Sequence, residues 1–156
     1  MTEGKKIPYK SKKSNEDGPP FHAVSRQNPD AIFILGNQKS GTSAIAHLLS
    51  FATGIPATID LKNEITNPTC YLVRSGEVSF SEFLDMNKED FTRPIIKEPS
   101  LTILFNELRQ TFKNAKFVFV VRDPRDNIRS ILDRLKIPGD LRHLKQVTMI
   151  DRKSVV

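Results

Sequence analysis

Cysteine is nearly absent from this chain. The 156 residues hold one, Cys70. An internal disulfide framework is therefore excluded, and no paired-cysteine zinc spacing exists. A lone cysteine beside apolar residues is expected to serve as a small buried hydrophobe. Long apolar runs are absent too. No stretch approaches the roughly 20 residues that span a bilayer, and no N-terminal apolar segment resembles a signal peptide. A cytoplasmic location is the resulting expectation. A concentrated excess of one charge is also lacking in the body of the chain. Net charge is +6, but residues 31–121 carry nine basic and nine acidic side chains. That balance excludes a general nucleic-acid-binding surface. The basic excess lies in residues 1–30 and 122–156, and near residue 122 it suits a small polyanionic ligand. Oligomeric state is not legible.

Hydrophobic content of 38% and charged content of 27% are ordinary for a globular protein with one core. The expected organisation is a flexible basic leader over residues 1–30, then one domain over residues 31–156. The leader holds Lys5, Lys6, Lys10, Lys12, Lys13 and the turn-forming Asp17-Gly18-Pro19-Pro20. His22 lies within it and takes no role.

The stretch that organises the rest is Ala31 to Ala52. Ala31 to Leu35 is a short apolar run, as a strand buried on both faces should be. Gly36 and Gly41 bracket a tight turn. Thr42 and Ser43 open a helix whose apolar residues Ile45, Leu48, Leu49 and Ala52 fall at helical spacing. Backbone N–H groups of such a loop and first turn make an anion site, most naturally for phosphate. Lys39 adds a charge, and Thr42 and Ser43 add hydroxyl donors.

Further along, Gly54 and Pro56 stop the first helix. Asp60 to Pro68 reads as a polar connection, and Cys70 to Val73 as a short strand or edge. Ser79 to Glu89 can form a helix with Phe80, Phe83 and Leu84 inward. Thr92 to Lys97 is a strand candidate whose Pro94 marks an edge or a start. Leu101, Leu104, Phe105, Leu108 and Phe112 recur at helical spacing, with Ser100 as N-cap. Lys116 to Val121 is the clearest strand. A helix from Arg125 to Lys136 follows, with Ile128, Ile131, Leu132 and Leu135 on one face. Leu141 to Met149 is a further helix candidate. The alternation predicts a three-layer α/β fold, a parallel sheet flanked by helices. Ligands in such sheets bind beyond the carboxyl ends of the strands. Lys39, Lys97-Glu98 and Arg122-Asp123 each follow a strand end and should share one rim.

The position of the lysine distinguishes between phosphate loops. A nucleotide triphosphatase loop carries lysine directly after the second glycine, where this chain has Thr42. The order Lys39-Ser40-Gly41-Thr42-Ser43 resembles the loop with which sulfotransferases bind the 5′ end of 3′-phosphoadenosine 5′-phosphosulfate (PAPS). A second motif agrees: an apolar strand, then Arg122-Asp123-Pro124-Arg125-Asp126, then an amphipathic helix bearing Ser130. In that family such an arginine and serine hold the 3′-phosphate, and the planar fork of arginine suits the task.

The resemblance covers about residues 31–136. It implies a P-loop-like sulfotransferase fold, PAPS as donor and a small-molecule or carbohydrate acceptor with a hydroxyl or amine. It implies no metal. Lys39, Ser40, Gly41, Thr42 and Ser43 would bind the 5′ end, and Arg122 and Ser130 the 3′-phosphate. Lys39 would also stabilise the leaving oxygen. The chain departs from cytosolic members, which place a histidine base two residues beyond a lysine at the second strand end; here Pro99 stands there. His47 lies inside the first helix and cannot replace it. Other branches use a glutamate downstream of the first helix, a role open to Glu64, then Glu98, then Asp60. Relatives usually continue further, so the C-terminal part of the domain is expected to be missing. Two alternatives stay open: a nucleotide-dependent P-loop kinase with Asp123 on magnesium, and a non-catalytic cofactor-binding fragment.

Overall fold

The computed structural model describes residues 29–139. The basic leader, up to Asn28, and the helix candidate at Leu141–Met149 lie outside the described residues.

Four strands form one sheet: β1 (Ile32–Gly36), β2 (Ala57–Ile59), β3 (Ile95–Lys97) and β4 (Lys116–Val120). Their order is β2-β3-β1-β4 and every pairing is parallel. The parallel α/β expectation holds. All four strands therefore end on one rim, and the charged residues that follow them meet there. Alternation along β1 explains the layers. Phe33 and Leu35 point to one face, Ile34 to the other.

The first face carries the larger core. Phe33 stacks on Phe117 and meets Phe112 edge-on at 5.1 Å, and Phe91 bridges Phe112 and Phe83. Each buried ring contributes about 2–3 kcal/mol of hydrophobic stabilisation. Helices α3 (Cys70–Ser75), α4 (Phe80–Met86) and α5 (Phe105–Thr111) cover this face. The second face is covered by α1 (Thr42–Thr53), whose Ala46 sits on Ile34 and Ile95.

Five local expectations need correction. Cys70 begins a helix, not a strand, because Glu64 accepts hydrogen bonds from the N–H groups of Thr69 and Cys70 and so caps α3. The polar connection contains a short helix, α2 (Lys62–Thr66), and β2 lies just before it where no strand was expected; at five and three residues they carry too little pattern to be seen. The helix after Pro99 begins as 3₁₀ turns over Pro99–Leu104 before α5, and its N-cap is Glu98, which accepts from Ser100 N. On α1 the buried positions are Thr42 and Ala46, while Ile45 and Leu48 are exposed. The small side chain of Ala46 lets the helix approach the sheet, which rotates the larger residues outward. On α6 (Pro124–Leu135) the buried residue is Asn127, and Ile128 is exposed.

Other expectations stand. Pro94 precedes β3 as a start, Gly54 ends α1 in a left-handed conformation, and Cys70 is fully buried. No helix of the described residues is long and apolar enough to cross a membrane.

Candidate active site at the sheet rim

The loop between β1 and α1 is shaped by two glycines. At Gly36 an added Cβ would stand 2.5 Å from Val120 O and 3.0 Å from Ser40 Oγ. Only glycine lets β4 and the loop close on the strand end. Gly41 is the N-cap of α1 at φ 103°, a conformation that side chains resist. No side chain caps this helix, and its first turn holds no acidic residue. The first-turn N–H groups thus have no intrahelical partner, and the helix dipole is uncompensated there. This is a cradle suited to phosphate.

Three contacts hold the loop in place. Thr102 Oγ1 accepts from Gly36 N at 2.9 Å. Ser40 Oγ donates to Asn37 O at 2.7 Å. Arg122 Nη1 donates to Lys39 O at 2.9 Å, although the two residues lie 83 positions apart. The two motifs read from the sequence therefore touch. Lys39 is exposed and has a left-handed backbone, φ 64°. Ser40 and Ser43 are half-buried, and Thr42 is buried with its Cγ2 3.1 Å from the Cβ position of Gly36. Ser130 is half-buried on α6, one turn from Asn127. Asp123 caps that helix by accepting from Arg125 N at 2.8 Å. The Arg125 side chain, then that N–H, holds the Asp123 carboxyl below the usual carboxylate range.

The β2–β3 side of the rim is different. Lys97 is buried and pairs with Asp60, whose side chain stays 40% exposed. Asp60 has a left-handed backbone, φ 60°, and its N–H donates to Lys97 O. Glu98 is buried; its Oε1 accepts from Ser100 N and Ser100 Oγ, and its Oε2 from Leu61 N. Glu64 is buried; its Oε1 accepts from Thr69 N and Thr69 Oγ1, and its Oε2 from Cys70 N. Both glutamates approach Cys70, whose thiol burial pushes up out of its ordinary range, with Glu64 adding to the effect.

The structure brings Lys39, Ser40, Gly41, Thr42, Ser43 and Arg122 together around one loop. It ties Glu64 and Glu98 into a separate buried network. Sequence reasoning missed Asn127 and Thr102, which bond to the loop's backbone. Asn127 stood inside the second motif, and nothing in the sequence separates it from a helix-surface amide.

A family model, the sulfotransferase domain, matches residues 29–147. The chain belongs to this family. The all-parallel sheet flanked by helices agrees with the P-loop-like sulfotransferase fold. Membership assigns the chain to sulfuryl transfer in general and makes it a transferase. No curated protein and no solved structure matches the chain significantly.

Proposed function

We propose that the chain transfers the sulfuryl group of PAPS to a hydroxyl or amine of a small-molecule or carbohydrate acceptor. The observation that carries this reading is the bond from Arg122 to Lys39 O, which joins the two phosphate motifs at one rim. The residues fit a nucleotide with phosphates at both ends. The uncapped first turn of α1, the Cβ-free cradle at Gly36 and the exposed Lys39 suit the 5′ end. Arg122 has five N–H donors and gives one to Lys39 O, leaving others for the 3′-phosphate. Ser130 adds a hydroxyl on the adjacent helix.

When bound, PAPS supplies an activated sulfuryl group. The N–H groups of Gly41, Thr42 and Ser43 and the hydroxyls of Ser40, Thr42 and Ser43 hold the 5′ end. The Lys39 ammonium would be the group to stabilise negative charge growing on the leaving oxygen. The acceptor must lose a proton, and a carboxylate can take it. Glu64 is the first candidate from sequence and Glu98 the second. Each has both oxygens directed at N–H groups and would have to release them. Asp60 Oδ1 is taken by Lys97, which leaves Oδ2 on a partly exposed side chain. This pattern favours Asp60 Oδ2 as the proton acceptor.

The test is titration with adenosine 3′,5′-bisphosphate and with AMP, followed by transfer of labelled sulfate to alcohols, phenols and sugars. Preference for the bisphosphate should vanish in Arg122→Ala, a loss on the order of 2–4 kcal/mol. Asp60→Asn should lose rate while binding is retained, and Lys39→Ala should lose both rate and affinity. Loss confined to Glu64→Gln or Glu98→Gln would return the proton to that residue. Equal affinity for both nucleotides, or tighter magnesium-dependent binding of ATP, would overturn the reading. Tight binding with no turnover would make the chain a cofactor-binding module.

A further inference from the structure

We infer that Asn127 is a positioning residue for the phosphate loop, and that together with Arg122 it couples the two ends of the nucleotide site. The inference rests on the functional reading above. Asn127 is 6% exposed, an unusual place for an amide on the first turns of an amphipathic helix. Its Nδ2 donates to Gln38 O at 2.7 Å, across 89 positions of sequence. The neighbouring carbonyl, Lys39 O, is held by Arg122. Two consecutive loop carbonyls are thus drawn toward the β4–α6 junction.

The peptide plane gives this a directional consequence. In a trans peptide the C=O and the following N–H point in opposite directions. Holding Gln38 O toward α6 turns the N–H of Lys39 away from α6. Lys39 is also one of only three non-glycine residues with positive φ among the described residues. An L side chain leaves that conformation readily unless its surroundings hold it. Asn127 and Arg122 supply those surroundings. Asp123 and Arg125 cap and flank α6 but pair with each other, so they do not substitute. The residue resembling a 3′-phosphate ligand therefore also grips the backbone that carries Lys39. A group bound at Arg122 is felt at the other end of the site through one hydrogen bond.

The experiment uses the full chain as wild type, Asn127→Asp and Asn127→Ala. Asn127→Asp keeps the shape and replaces the donor with oxygen. Three quantities are read: amide hydrogen exchange over residues 37–43, affinity for adenosine 3′,5′-bisphosphate and for AMP, and the melting temperature. Exchange over the loop should quicken about tenfold in both variants, the scale of one lost hydrogen bond. Affinity for both nucleotides should fall together by a similar factor, leaving their ratio unchanged, whereas Arg122→Ala changes the ratio. Unchanged loop exchange, or quickened exchange with unchanged affinity, would overturn the inference. Should Asn127→Ala fail to fold, Asn127→Ser, too short to reach Gln38, replaces it under the same criteria. If wild type binds neither nucleotide, the functional reading fails, and loop exchange alone still decides whether Asn127 holds Lys39.

Discussion

The two halves of the sheet rim hold similar numbers of charged residues and use them in opposite ways. At the β1–β4 end, donors face outward. The first turn of α1 is uncapped, Lys39 is exposed, and Arg122 spends one bond on the loop. At the β2–β3 end, Glu64, Glu98 and Lys97 are buried and already partnered. A buried carboxylate without donors costs several kcal/mol, so burial forces such saturation. The lesson is that charge at a strand end is not by itself a site. Open valence, at Lys39, Arg122 and the free Oδ2 of Asp60, marks where a ligand can be met, and closed valence marks the wall that supports it.

Four substitutions test this contrast, from the largest effect to the smallest. Gly36→Ala places a Cβ against the backbone of Val120, which cannot yield as a flexible side chain would. About 3 kcal/mol of stability should be lost, with loss of nucleotide binding. A denaturation midpoint equal to wild type would show that the β1–β4 contact is looser than the geometry implies. Glu98→Ala leaves the N–H groups of Leu61 and Ser100 without their carboxylate. It should cost about 2–3 kcal/mol, against about 0.5 kcal/mol or less for Arg122→Ala at its exposed site. Equal costs measured in urea would erase the distinction between open and closed ends.

The smallest effect concerns Cys70. Burial raises its folded pKa above the ordinary value of 9.0. A raised folded value means that the neutral thiol contributes stability fully below the unfolded pKa and loses it as pH rises above that. Stability should therefore fall gradually above about pH 9, and by less in Cys70→Ala. Iodoacetamide at pH 8 should label Cys70 only after unfolding. Labelling of the folded chain would place the thiol outside the closed network.

The parts of this plan visible in sequence were those with repetition or strong chemistry. Ala31 to Leu35 and Lys116 to Val121 read as strands because continuous apolar runs have few other uses in a short chain. The loop was visible because glycine spacing and lysine position restrict what can be bound. The short β2 and α2 were invisible, since three to five residues carry less pattern than noise. The helical face of α1 was misjudged because hydrophobicity favoured Ile45 and Leu48, while close packing favoured the smaller Ala46.

By itself the sequence determined the main strand–helix alternation, the parallel sheet that this alternation demands, and the two phosphate motifs. Those follow from local pattern and from the short connections between elements. Only the tertiary structure decided which polar groups are free and which are spent. Glu64 and Glu98 look in sequence like any candidate base. Asn127 looks like a helix-surface amide. Their roles depend on which backbone N–H or C=O arrives from dozens of residues away. A hydrogen bond is satisfied by proximity in space, and no local pattern encodes the partner.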